Sequence, residues 1–262
     1  MIFAPILFSL LVTLALSMAI MTIAWLASLA LRDASIADIL WGPGLAMMGW
    51  MAACYSARIG LTGWISLGLA TIWALRLGTY LLFRRLGSGR EDHRYTSIRS
   101  RFGPSFSLLS LVAVFWLQAL LLWIVSWPLQ VAVLAQSGNT LAVAGWALIL
   151  AGIIIETVAD RQLSAFRAIV HNAGRVLDSG LWRWSRHPNY FGDFLIWWGF
   201  FLTGLAAGAS WWTIASPVLM SALLLHFSGV GLMEETIPDR RPAYKDYIER
   251  TGAFVLWPPA KR

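Results

Sequence analysis

The sequence holds one cysteine, Cys54, among 262 residues. A lone thiol excludes a disulfide framework and a cysteine-based metal finger, and leaves the redox compartment open. Charge is scarce too: Asp, Glu, Lys and Arg make up 13% of the chain, about half of the roughly 25% usual in soluble domains. Alternating strand patterns are missing, which argues against a β-barrel. There is no internal repeat or low-complexity linker, no nucleophile elbow for a Ser/His/Asp triad, and no phosphate loop, since Gly42-Pro-Gly44 lacks the required continuation. The four histidines, His93, His171, His187 and His226, are scattered without metal-ligand spacing, so no metal is expected. What the chain has instead is apolar surface. Hydrophobic residues reach 58%, with 16 Trp and 13 Phe, and the mean hydropathy is +0.67. These values describe an integral membrane protein, all-α, and a polytopic helical bundle.

A bilayer core takes about 20 apolar residues per helix. Runs at 6–31, 36–55, 61–82, 108–135, 141–158, 194–207 and 211–232 predict about seven transmembrane helices. The first run lacks a basic leader and ends at Arg32-Asp33 instead of a small-residue cleavage site, so it reads as a retained helix. With seven spans, alternate loops share a side of the membrane. On one side fall Arg32; Arg84, Arg85, Arg90, Arg94, Arg99 and Arg101; Arg161, Arg167, Arg175, Arg183 and Arg186; and Arg240, Arg241, Lys245, Arg250, Lys261 and Arg262. Only Arg58 and Arg76 are elsewhere. The positive-inside rule then puts the N-terminus outside and the C-terminus in the cytoplasm, as for a multi-pass protein of a bacterial inner membrane. The net charge of +7 is a signature of topology, and no nucleic-acid partner is expected.

Three polar segments, 84–107, 160–193 and 234–262, would form a cytoplasmic loop cap on a single membrane domain spanning 1–262. The cap mixes its arginines with carboxylates, Asn172, Asn189 and several tyrosines. Arginine forks suit phosphates, carboxylates and amides suit ribose hydroxyls, and aromatic rings suit a base. A solvated cap that binds lipid headgroups is the competing reading of the same composition.

The segment Arg186-His-Pro-Asn-Tyr-Phe-Gly-Asp193, followed by Trp197 and Trp198, resembles the DUF1295 branch of the steroid 5α-reductase-like membrane proteins. That superfamily also contains sterol reductases and, further off, isoprenylcysteine and phospholipid methyltransferases. Glu156-Thr-Val-Ala-Asp160 with Arg167, the stretch Gly89-Arg-Glu-Asp-His-Arg-Tyr95, and Glu234-Glu235 through Tyr244 and Tyr247 to Trp257-Pro258 are similar to further segments of the same branch. The resemblance implies NADPH held by the C-terminal part, about 141–262. Carried onto this sequence, the cofactor residues are Glu156, Asp160, Arg167, Arg175, Arg186, His187, Asn189, Tyr190, Asp193, Glu235 and Tyr244. Asp193, at the start of the sixth predicted span, has a second reading as a helix cap.

The activity that the resemblance implies is NADPH-dependent reduction of a C=C bond, conjugated to a carbonyl, in a steroid-like or other membrane-soluble lipid. The steroid reductases place a Gln-Glu pair in an early span; this sequence has none, and Asp38 is the nearest acid. The proton donor must be a neutral acid near the inner interface. Asp38, Tyr95 and Asp92 are the candidates, Tyr95 because a phenol stays protonated at neutral pH. The alternatives are an S-adenosylmethionine-dependent methyltransferase on the same scaffold and a non-enzymatic lipid-binding protein.

Overall fold

The computed structural model describes residues 3–135, 138–227 and 244–258, and every regular element among them is helical. The first helix, α1 (Phe3–Leu31), is apolar throughout its length, the pattern of a helix surrounded by lipid and protein on every side. It stops where Arg32 takes a left-handed φ of 51° and Asp33 N donates to Ser28 O at 3.0 Å. This is a Schellman closure with arginine in the place usually held by glycine. The predicted second span is broken at Leu40 into α2 (Ile36–Ile39) and α3 (Trp41–Cys54). Next comes α4 (Leu61–Ser88), closed by left-handed Gly89.

The polar stretch after α4 is mostly helix rather than loop. The Asp92 side chain accepts from Arg94 N and starts α5 (His93–Phe102), an N-cap that satisfies one of the free N–H groups of the first turn. A 3₁₀ turn at Gly103–Ser105, α6 (Phe106–Ser110), a π turn at Leu111–Trp116 and α7 (Leu117–Val125) continue it, followed by α8 (Trp127–Leu134). Then come α9 (Leu141–Ala168), α10 (Pro188–Ala206), α11 (Ala215–Ala222) and α12 (Tyr244–Arg250). Among the described residues, four helical stretches are long and apolar enough to cross a membrane: Pro5–Leu31, Leu61–Ser88, His93–Val125 and Leu141–Ala168. The seven predicted runs thus resolve into these four plus shorter pieces. The fourth run is the far end of a helix that begins at His93, together with α8, and the sixth is the back of α10. The seventh is described only as far as residue 227.

The chain divides into two compact units, Met1–Ala142 with Thr203–Thr213, and Val143–Leu202 with Ile214–Arg262. In the first, α3 and α4 meet through small residues. A Cβ on Gly42 would stand 2.7 Å from Ala74 O, and one on Gly78 would meet Pro43 at 3.1 Å. Three indoles tie the 106–125 stretch to α1: Trp25 Nε1 donates to Ser107 O, Trp116 Nε1 to Thr22 Oγ1 and Trp123 Nε1 to Leu10 O. Buried Gln130 accepts from Ser9 and Thr13 and donates to Ser126, which leaves its amide satisfied where no water reaches.

In the second unit α9 and α10 pack on glycines seven residues apart, Gly145 and Gly152 against Gly199 and Gly192. A Cβ on Gly192 would meet Gly152 O at 2.7 Å and Glu156 N at 2.8 Å. Small residues that admit close backbone approach are how helices associate where lipid supplies no hydrophobic drive. After α12 the chain returns as a strap, with Arg186 N donating to Gly252 O (2.9 Å), Trp257 N to Trp184 O (3.0 Å) and Ser185 Oγ to Phe254 O (2.7 Å).

Candidate functional site

The first unit brings the three predicted proton-donor candidates together. Tyr95 Oη donates to Asp38 Oδ1 at 2.6 Å, across 57 residues of sequence. The other Asp38 oxygen, Oδ2, accepts from Arg94 Nη2 at 2.6 Å. Arg94 also donates from Nε to Asp92 Oδ1 at 3.0 Å, so its guanidinium bridges the two carboxylates. Behind the phenol, Gln118 Nε2 donates to Tyr95 Oη at 2.9 Å, and Trp41 Nε1 donates to Gln118 Oε1 at 2.8 Å. Residues from α2, α3, α5 and α7 meet at one point. Local sequence explains how: Asp38 is in the short α2, and Tyr95 is in the first turn of α5 because Asp92 caps that helix.

A second layer of charge fixes the surrounding loops. Glu91 accepts from Arg99 through both oxygens, at 2.8 and 3.1 Å, and from Ala34 N at 2.8 Å. Asp33 pairs with Arg85 and accepts from Ser35 N at 2.9 Å, while Ser35 Oγ accepts from Asp92 N at 2.8 Å. Burial raises the Asp92 carboxyl, but hydrogen bonds and charge from Arg94, and the charge of Arg84, whose Nη2 donates to Asp92 Oδ2 at 3.2 Å, more than reverse this and hold it at about 2. Burial likewise opposes ionisation of Asp33, yet the Ser35 hydroxyl and N–H and the Arg85 guanidinium hold it below the ordinary carboxylate range. Asp92 is therefore an anion at neutral pH and a poor acid. A cavity of about 180 Å³ opens beside this network, lined by Ser35, Asp38, Ile39, Leu81, Arg84, Arg85, Ser88, Arg90, Glu91, Asp92 and His93. Asp38 is on its wall; Tyr95 is not, and is 5% exposed.

The second unit gathers most of the predicted cofactor residues. Asn189 Nδ2 donates to Asp160 Oδ1 at 3.2 Å, joining the first turn of α10 to α9. The rings of His187 and Tyr190 are parallel at 4°, with centroids 5.5 Å apart. Glu156, Asp160, His187 and Tyr244 are buried, whereas Arg167 and Arg175 are exposed. Arg186 is buried as a strut: its guanidinium donates to the carbonyls of Ile248 and Thr251. Helix α10 begins at Pro188, so Asp193 is past its first turn and accepts from Trp197 Nε1 at 3.0 Å; an end-cap role does not apply to it. Tyr247 donates to Trp182 O, and burial, with the nearby Tyr244, raises its hydroxyl above the ordinary tyrosine range. Glu235 lies outside the described residues. Among the described residues no cluster of His, Cys, Asp and Glu suits a metal.

The chemistry of this donor set suits phosphates at the exposed guanidiniums of Arg167 and Arg175 and ribose hydroxyls at the Asn189-Asp160 pair, while the His187 and Tyr190 rings stack on each other and leave no space between them for a base. Sequence reasoning missed Arg94, Gln118 and Trp41 as members of the first cluster. In the sequence Arg94 is one of six arginines between 84 and 101, with nothing local to mark it as a partner of Asp38. Gln118 carried a signal, since it is the single amide in the apolar run 111–125.

A model of the family described as "Protein of unknown function (DUF1295)" matches residues 24–251. An uncharacterized protein of Schizosaccharomyces pombe is 30% identical over 216 residues, which cover 71% of this chain and 61% of that protein. The matched region thus spans less than two thirds of that relative's length. No solved structure matches.

Proposed function

The chain belongs to the DUF1295 family, a steroid 5-alpha-reductase-like family of membrane proteins, and on that premise we propose that it is an NADPH-dependent reductase of a polarised C=C bond in a membrane lipid. The observation that carries this reading is the 2.6 Å hydrogen bond between Tyr95 and Asp38, a phenol and a carboxylate held together at the edge of a membrane domain. Ionisable groups in such a setting are costly and default to function.

The hydride for the carbon β to the carbonyl is the chemistry that NADPH would supply when bound. The chain's own residues handle the proton. The Tyr95 O–H, which donates to Asp38 in the structure, would turn to the developing enolate oxygen when the acceptor enters and give its proton there, leaving a phenolate; the enol so formed ketonises by taking a proton from water at the α carbon and losing the one on oxygen. Asp38, on the cavity wall, would pass to that phenolate a proton delivered from bulk solvent as hydronium, water being the product, so both groups end as they began. Arg94 holds the Asp38 carboxyl in place through its guanidinium, and Asp92 serves by fixing Arg94 instead of giving a proton. Asp160 and Asn189 would hold ribose hydroxyls of bound NADPH and Arg167 and Arg175 would grip its phosphates; Glu156, His187, Tyr190, Asp193, Glu235 and Tyr244 would complete the set. The absence of a Gln-Glu pair favours a lipid other than a steroid as acceptor. The full topology of this reading is seven spans, with the N-terminus outside and the C-terminus in the cytoplasm of a bacterial inner membrane.

Thermal unfolding of the detergent-purified protein with NADPH, NADH and S-adenosylmethionine in parallel tests the cofactor. A ligand at about 100 times its Kd adds about 2.7 kcal/mol to stability. NADPH should give the largest rise in Tm. A rise with S-adenosylmethionine alone would replace the reductase reading with a methyltransferase, and no rise with any of the three would favour a lipid-binding protein.

A further inference from the structure

We infer that Gln118 is a positioning residue that fixes the direction in which Tyr95 holds its proton; this deepens the reading of Tyr95 as the donor and rests on it. Two groups of this network can only donate. An indole N–H has no acceptor capacity, and neither has a guanidinium. Trp41 stands at one end of the chain of hydrogen bonds and Arg94 at the other. Between them lie an amide, a phenol and a carboxylate, whose directions would otherwise be open. The two ends of an amide cannot be told apart by shape, but Trp41 Nε1 at 2.8 Å requires an oxygen opposite it. The NH₂ of Gln118 is thereby turned to Tyr95 Oη, 2.9 Å away. Tyr95 then accepts from Gln118 and has one proton to give, which goes to Asp38 Oδ1. Asp38 accepts on both oxygens. Every bond in the series donates toward Asp38.

The backbone supports the same assignment. The π turn Leu111–Trp116 ends one residue before α7, in which Gln118 is the second residue. A π turn takes in one residue more than an α turn, so it rotates everything after it around the helix axis, and such turns recur at functional sites. Here the rotated side chain is the one amide in an apolar run. Its N–H faces the oxygen that becomes a phenolate when Tyr95 gives up its proton, which makes Gln118 a fixed donor toward developing charge.

The test uses the full-length protein with ring-labelled tyrosine and reads the Tyr95 C–O stretch in the infrared as the difference between the parent and Tyr95→Phe. This band reports whether the phenol donates, accepts or does both, and it needs no substrate. In Gln118→Leu the band should move to that of a phenol that only donates. In Gln118→Glu it should move again, because an ionised carboxylate competes with Asp38 for the Tyr95 proton. Trp41→Phe keeps the ring and removes only the N–H; it frees the amide to turn and should shift the band as well, and it carries the test if Gln118→Leu does not fold. Turnover with NADPH should fall by about 10²-fold in kcat in Gln118→Leu, with KM for NADPH unchanged. A Tyr95 band that stays put in the folded variants overturns the role of Gln118 whatever the activity. Bands that move as expected in a protein that never oxidises NADPH overturn the reductase reading and leave the hydrogen-bond direction standing.

Discussion

Tyr95 and Asp38 form a pair whose two members have different surroundings: the phenol is buried, the carboxylate faces a cavity. Tyr95→Phe removes the hydroxyl alone and Asp38→Asn removes the acid at constant size. Each should lower turnover by about 10²–10⁴ while NADPH affinity changes little, since general acid catalysis contributes on that scale; a coupled NADPH-oxidation assay with titration of the cofactor separates the two effects. Asp92 makes a different prediction. Its folded value, about 2, is below the ordinary 3.8, so the stability it contributes is fully present above pH 3.8 and is lost as pH falls toward 2. Melting temperature against pH should decline through that window, and Asp92→Asn should flatten the decline. Both acids and the phenol were legible in the sequence, because polar groups beside apolar runs need a reason. Their pairing was not, because it depends on a cap at Asp92 and on Arg94, which looked like one more cytoplasmic charge.

Helices α9 and α10 show why one glycine of the motif Asn189-Tyr-Phe-Gly-Asp193 is fixed by packing. A methyl group at Gly192 would be pressed between the backbone of Gly152 and Glu156, so Gly192→Ala should destabilise the protein by about 1–3 kcal/mol as an overpacked contact. Gly68, in α4, has open space where its Cβ would be, and Gly68→Ala should be neutral or stabilise by up to about 1 kcal/mol. Thermal melts of the two variants side by side check the pair; equal effects would remove the packing account. Hydropathy located α1, α4 and α9 well because each is a continuous apolar run. It failed at 36–55, where the chain breaks at Leu40, and at 84–107, where composition reads as loop but an Asp92 cap nucleates α5. Caps and breaks of this kind are single-residue events that a window average cannot resolve.

At the scale of the whole molecule, the uneven distribution of basic residues makes the orientation testable with the protein's own cysteine. Cys54 is exposed at the end of α3, and the seven-span reading puts it outside; an impermeant maleimide should label it in intact cells. In a Cys54→Ser background, Ser88→Cys and Asp246→Cys should react only after the membrane is opened, and Thr140→Cys without opening. The reverse pattern would invert the topology and the location assigned to the cofactor residues.

The central claim is that hydride passes from NADPH to a lipid carbon while this chain supplies the proton. The measurement that reaches it most directly is isotope transfer: protein reconstituted with a total lipid extract, supplied with NADPH deuterated at the transferable position, and the lipids analysed by mass spectrometry. The account predicts deuterium in a saturated lipid product with the parent protein and little with Tyr95→Phe. Deuterium that stays with the cofactor in every lipid extract tried, alongside transfer of a labelled methyl group from S-adenosylmethionine to a lipid, would contradict it.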